Sequence, residues 1–246
     1  MAKVLDKPQK AAPADEPDAR DDDSVREDSD DSVVEDNDDS AREDREPHLV
    51  SSSGIRPGIA IDPLGDHAEL EGIYYETGAR LEDRRKVELV NGRVVVREMP
   101  TAEHARIVYR LLLQLIPMVT ERGWEILPDI AIFLGPQMDR YRPDATVVPA
   151  DPPMWQPDEV YAHATLLVAE VVSKSSTHDD HIVKPGQCAV AGVPAYLVID
   201  TFEGRARLLS HPHEGRYGQE VSVALGEPLA LPEPWRLTID TARLVG

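Results

Sequence analysis

The seven residues Leu166–Val172 (LLVAEVV) hold a carboxylate, Glu170, inside an otherwise apolar run. A run this short, rich in branched side chains, predicts a buried strand. An ionised carboxylate buried without a partner is costly. Any fold for this chain must therefore let Glu170 escape to solvent at the strand end, or bring positive charge to it.

Periodic sequence around this strand begins near Asp66. HAELEGIYYETG predicts a short helix ended by Gly78. KVELV and RVVVRE flank Asn91-Gly92, a strong hairpin signal. A helix is predicted from Thr101 to about Arg122, capped by Thr101 and closed by Gly123. Its apolar face is Ile107, Leu111, Leu115 and Met118, and Pro117 is expected to kink or break it late. Strand-like runs follow at Trp124–Leu134, Asp144–Val148 and Leu166–Val172. A second helix is predicted over Ser176–Ala191, then strands at Pro194–Asp200, RARLLS, QEVSVAL and WRLTID. His211 and His213 flank Pro212 and read as a turn. The alternation predicts one α/β domain over 66–246, a mixed sheet with helices against it.

Charge divides the chain differently. Residues 1–46 hold 18 acidic and 7 basic residues, a net of −11 out of the whole chain's −20. Asp-Asp-Ser recurs at 22–24, 30–32 and 38–40, a period of eight. With few apolar groups to offset ordering entropy, this tail is expected to be disordered. It reads as a solubilising tail, as an arm covering a basic groove of its own domain, or as a docking segment for a basic partner. Residues 47–65 read as a Ser/Gly/Pro linker. The net charge argues against passive adhesion to nucleic acid or anionic membrane. Cys188 is the only cysteine, which excludes an intrachain disulfide and suits a reducing cytoplasm. No apolar run approaches the ~18 residues of a membrane span.

Four positions carry candidate chemistry. Asp144 follows Arg142-Pro143 at the start of one strand, and Glu170 lies in another. Asp180 and Lys184 stand at i and i+4 of the second helix, hence on one face. Carboxylates from adjacent strands suit a hard divalent cation, which prefers oxygen ligands, and such a cation would supply the charge Glu170 needs. Plainer readings stand beside this one. Asp144 can be a turn residue, Glu170 can pair with an arginine, and Asp180 with Lys184 can be a surface ion pair. His104 reads first as a helix-surface or capping residue, although it can also approach a metal or phosphate. The run His178-Asp179-Asp180-His181 lacks tetrahedral zinc spacing. Arg106, Arg140 and Arg142 are candidate phosphate contacts.

The segments VELVNGRVVV, RPDATVV, LLVAEVVSKSST and DDHIVKPGQCAVAGVPAYLVID, in that order, resemble the Uma-two family. These are restriction-endonuclease-like proteins of the PD-(D/E)xK nuclease superfamily. The likeness spans about 66–246, and its most specific part is Asp180, Lys184-Pro185, Ala191–Pro194, Tyr196 and Asp200. It implies a restriction-endonuclease-like fold and a nuclease site in which Asp144, Glu170 and the carbonyl of Val171 hold Mg2+, with Mn2+ as a substitute. The superfamily lysine two residues after the second acid is here Val172, and the match moves that role to Lys184. Glu88 matches a recurrent family acid, and Asp180 an acid one turn before the lysine. Cys188, Leu197 and His181 stand where tyrosine, tryptophan and arginine are common.

The expectation is a metal-dependent endonuclease acting on DNA in the cytoplasm, with homodimerisation open. The alternative is a nuclease-fold binding module without catalysis, in which the acidic tail does the regulating or docking.

Overall fold

The computed structural model describes residues 63–81 and 85–246, with side chains from His67 onward. The acidic tail, its repeat and the linker up to residue 62 lie outside the described residues.

Helix α1, Pro63–Arg80, is longer than predicted. Gly78 does not end it, because that glycine is not in the left-handed conformation a helix stop uses. Strands β1 (Val87–Val90) and β2 (Arg93–Val96) pair antiparallel as predicted. Asn91 and Gly92 take φ of 49° and 72°, the two positive values a tight hairpin requires. Helix α2, Ala102–Glu121, is capped by Thr101, whose hydroxyl accepts the His104 N–H at 3.2 Å. The helix runs through Pro117 rather than breaking there. Its buried stripe is Ile107, Leu111, Leu115 and Val119, so the strict four-residue spacing selects Val119 over Met118. Gly123, at φ 67°, follows its end.

The predicted run Trp124–Leu134 is two strands, β3 (Glu125–Leu127) and β4 (Ala131–Leu134), separated by Asp129 at φ 57° and placed in different sheets. Then come β5 (Asp139–Tyr141), β6 (Ala145–Val148), β7 (Met154–Gln156), β8 (Glu159–Tyr161) and β9 (Leu167–Val171). The second predicted helix is two pieces, a π-helical turn at Asp179–Val183 and α3, Lys184–Val190. Strands β10 (Ala195–Asp200), β11 (Arg205–His213), β12 (Arg216–Ala224), β13 (Pro228–Ala230) and β14 (Thr238–Asp240) follow, and α4, Ala242–Val245, is last. His211 and His213 belong to β11. The turn expected at Pro212 lies beyond it at Glu214-Gly215, where φ is 49° and 76°.

The fold is mixed α/β, as expected: β13 pairs with β14 in a small sheet, and the other twelve strands form two six-stranded sheets. One has the order β2-β1-β5-β4-β8-β7, the other β12-β11-β10-β9-β6-β3. Each contains a single parallel pair, β4 with β8 and β9 with β10. The β9–β10 pair needs a crossover, and the π turn with α3 supplies it. Alternation sorts β9 cleanly. Leu167, Ala169 and Val171 face the cluster built on α2. Val168 and Val172 face the other cluster, which holds Cys188 of α3 and also Val90, Ile132 and Tyr141 of the first sheet. Glu170 shares the parity of Val168 and Val172, so its side chain enters the space between α3 and the two sheets.

Candidate active site

That parity brings the acids together. In β6, Ala145 and Val147 face α2, so Asp144 falls on the opposite face with Thr146 and Val148. In β1, Val87 and Leu89 pack with Tyr74 of α1, and Glu88 takes the other face with Val90. The crossover then lays Lys184, the first residue of α3, over the middle of this group. Its Nζ is 2.7 Å from Glu170 Oε1, 3.0 Å from Glu88 Oε1 and 3.2 Å from Asp180 Oδ1. Positive charge therefore meets Glu170 as a lysine, rather than the arginine of the plainer sequence reading.

Asp144 is gripped separately. Its Oδ1 lies 2.7 Å from Lys86 Nζ and 3.1 Å from His104 Nε2, and its Oδ2 accepts the Val171 N–H at 2.9 Å. Glu88 accepts the Arg97 Nε–H at 2.6 Å and the Arg142 N–H at 2.7 Å. Arg97 also donates to Asp179 at 2.9 Å, and the Ser176 hydroxyl donates to Asp180. All five proposed catalytic residues, Asp144, Glu170, Lys184, Glu88 and Asp180, line one cavity of about 550 Å3, together with Val171.

The family model described as "Putative restriction endonuclease", Uma2, matches residues 74–242. The chain belongs to the Uma2 family. No curated protein matches it. A crystal structure of "a putative nuclease belonging to DUF820" from Anabaena variabilis ATCC 29413 superposes with a TM-score of 0.56 and 16% identity. That match covers 70% of this chain and 96% of the other. At this identity the likeness shows the fold, and family and fold together support a nuclease-like function.

Charge in the Uma2 cavity is unevenly shared. Burial pushes Glu170 up to about 8, and the neighbouring Asp180, Asp144 and Glu88 push the same way against Lys184. Burial likewise raises Asp180. Burial acts on Glu88 and Asp144 as well, but there it is outweighed. Lys184 and Arg97 hold Glu88 below the usual carboxylate range, and His104 with Lys86 hold Asp144 below it. Lys184 keeps its proton well above the ordinary lysine range, since three carboxylates outweigh its desolvation. Buried acids split in this way are typical of functional sites. The donors are carboxylate oxygens, a set that suits Mg2+ or Mn2+ better than zinc.

Several sequence expectations need correction. Arg140 is not available to a phosphate: it is fully buried and paired with Glu71 and Glu159. Arg106 is exposed and does not line the cavity. Arg142 does line it, with its guanidinium on Asp129. His104 is more than a helix-surface residue: Thr101 caps its backbone N–H, and its ring Nε2 lies 3.1 Å from Asp144 Oδ1. The run His178–His181 is dispersed. His178 is exposed, Asp179 binds Arg93 and Arg97, Asp180 binds Ser176 and Lys184, and His181 binds Asp200.

Among the described residues, His181, Asp200 and Glu203 also bring potential metal-ligand atoms within 4.8 Å of one another. That histidine is already committed. Arg207 Nη1 lies 2.9 Å from its Nδ1, and a guanidinium only donates, so Nδ1 accepts and Nε2–H donates to Asp200.

Lys86 and Arg97 were missed, though period-two reading held the signal. Lys86 precedes Glu88 by two residues, and Arg97 follows Val95 by two.

Proposed function

We propose that this Uma2 domain hydrolyses phosphodiester bonds in DNA, with Mg2+ or Mn2+ held by Asp144, Glu170 and the carbonyl of Val171. The observation that carries this reading is the meeting of Asp144, Glu170 and Lys184, from three separate segments, at one cavity. When bound, such a cation polarises a phosphoryl oxygen and lowers the pKa of its water.

The chain's own groups do the remaining work. Lys86, His104 and the Val171 N–H hold the Asp144 carboxylate in one orientation. Glu88 and Asp180 keep Lys184 charged and fix where its ammonium sits. From there Lys184 stabilises the negative charge that grows on the phosphoryl oxygens. Phosphate contacts give affinity without reading sequence.

The test uses the full chain, labelled DNA and either Mg2+ or Mn2+. Cleavage that disappears in Asp144→Asn and in Glu170→Gln supports the reading. Binding without cleavage under both metals favours a non-catalytic module instead. One observation speaks for that second reading: Lys184 already neutralises part of the acidic cluster, as a structural ion pair would.

A further inference from the structure

We propose that Phe202 is a stacking platform for an unpaired base, so that the strand entering this cavity is single-stranded or locally unpaired. For cleavage this rests on the nuclease reading; for binding it does not.

The chain has two phenylalanines. Phe133 is 3% exposed, whereas Phe202 is 58% exposed and lines the rim of the catalytic cavity. An exposed aromatic is unremarkable by itself, and three further features give this one a role. The first is its mounting. Phe202 lies in the short turn between β10 and β11, where Asp200 Oδ1 accepts the N–H of Phe202 at 2.7 Å and of Glu203 at 3.0 Å. The other Asp200 oxygen accepts from His181 at 2.7 Å, so the turn is tied down from below. The second feature is Lys174. It is exposed, lines the same cavity and holds its Nζ 5.9 Å from the centre of the Phe202 ring. The ammonium stands over the ring, so a base stacks on the opposite face or displaces the flexible lysine toward a backbone phosphate, the aromatic-plus-cation combination that single-strand binders use. Met99, also 58% exposed and on the same lining, extends the apolar part of the rim.

The third feature is depth. The side chains of Asp144 and Glu170 are only 10% and 6% exposed. A phosphodiester must reach into the cavity to meet them. In a duplex the base faces are covered by their neighbours and none is free for Phe202. An unpaired nucleotide offers a free face, and every base has one.

The test is a binding measurement on the full chain carrying Asp144→Asn, with Mg2+ present. The probe is a short single-stranded oligonucleotide containing 2-aminopurine, compared with the same sequence as a duplex. The expected result is tighter binding of the single strand, with fluorescence quenched as the base stacks. Phe202→Ala should weaken single-strand binding about ten-fold or more, within the range seen for base–aromatic stacking, and Phe202→Tyr should restore it. Lys174→Gln should reduce the salt dependence by about 0.7 in log–log slope. Duplex bound as tightly as single strand, no single-strand binding, or unchanged binding in Phe202→Ala would each overturn the proposal. Cleavage with the wild-type chain separates the two readings. Phe202-dependent binding with no cleavage ends the nuclease reading and leaves this one standing. Duplex cleavage indifferent to Phe202 does the reverse.

Discussion

Lys184 Nζ and Glu170 Oε1 lie 2.7 Å apart in the interior, on side chains only 4% and 6% exposed. The same ammonium also serves Glu88 and Asp180. One cation cannot neutralise three buried carboxylates. Glu88 has Arg97 as a second partner and is held below the usual carboxylate range, whereas burial and the neighbouring acids raise Glu170 and Asp180, a bias that a bound divalent cation would oppose.

Stability of the metal-free protein should therefore fall as pH rises from about 4.5 to about 8. Glu170 is pushed up from the ordinary glutamate value of 4.5 to about 8 on folding, so in this window its folded form favours the extra proton. Its stabilising effect is complete below the unfolded value and lost through the folded one. Glu88 and Asp144, both depressed, act oppositely and lose their contribution in acid. Urea midpoints followed by circular dichroism across this range test the point. Glu170→Gln should flatten the slope, and an identical slope in that variant would remove Glu170 as its source.

Lys184→Met should cost about 3–5 kcal/mol at neutral pH, because it strands buried carboxylates rather than removing a surface pair. Adding Glu170→Gln should recover part of the loss. A double-mutant cycle by chemical denaturation reads the coupling directly, and strict additivity would mean the 2.7 Å contact carries no energy.

Thr101→Ala should cost about 1 kcal/mol through the lost helix cap. It should also loosen His104, whose N–H the cap holds and whose ring touches Asp144. Thr101→Ser should keep both. Thermal melts and divalent-ion titrations of the two variants give the comparison; equal behaviour would show that the cap does not govern His104.

Asp139→Ala should destabilise by about 1–3 kcal/mol, the penalty for leaving buried donors unpaired. Asp139 is buried and accepts the Asn91 N–H at 2.7 Å and the Tyr141 hydroxyl at 3.0 Å. It thereby pins the β1–β2 turn that precedes the site. Hydrogen exchange at Asn91 should rise with the loss, and unchanged protection there would place the damage elsewhere.

Local signals were legible where one short stretch decides the outcome. Asn91-Gly92 marks its turn because few residues tolerate two successive positive φ values. Thr101 and the four-residue spacing from Ile107 to Leu115 mark α2. The same logic failed at Gly78, where a helix continued through a residue that often stops one. It failed again for β5, β7, β8 and β13, three residues each, too short to show a period. At the site, Glu170 announced an unmet charge, but nothing in its neighbourhood named Lys184 as the partner or ruled Arg140 out as a surface group.

The order of residues by itself determined which side chains share a face of each strand and helix, because backbone geometry sets periods of two and 3.6. It also determined that a carboxylate would be carried into an apolar strand. Only the tertiary structure decided what that carboxylate meets. Whether β1, β6, β9 and α3 turn their polar positions toward a common space depends on how their apolar faces pack against α1, α2 and each other. That packing is a property of all the elements at once, and no single segment contains it.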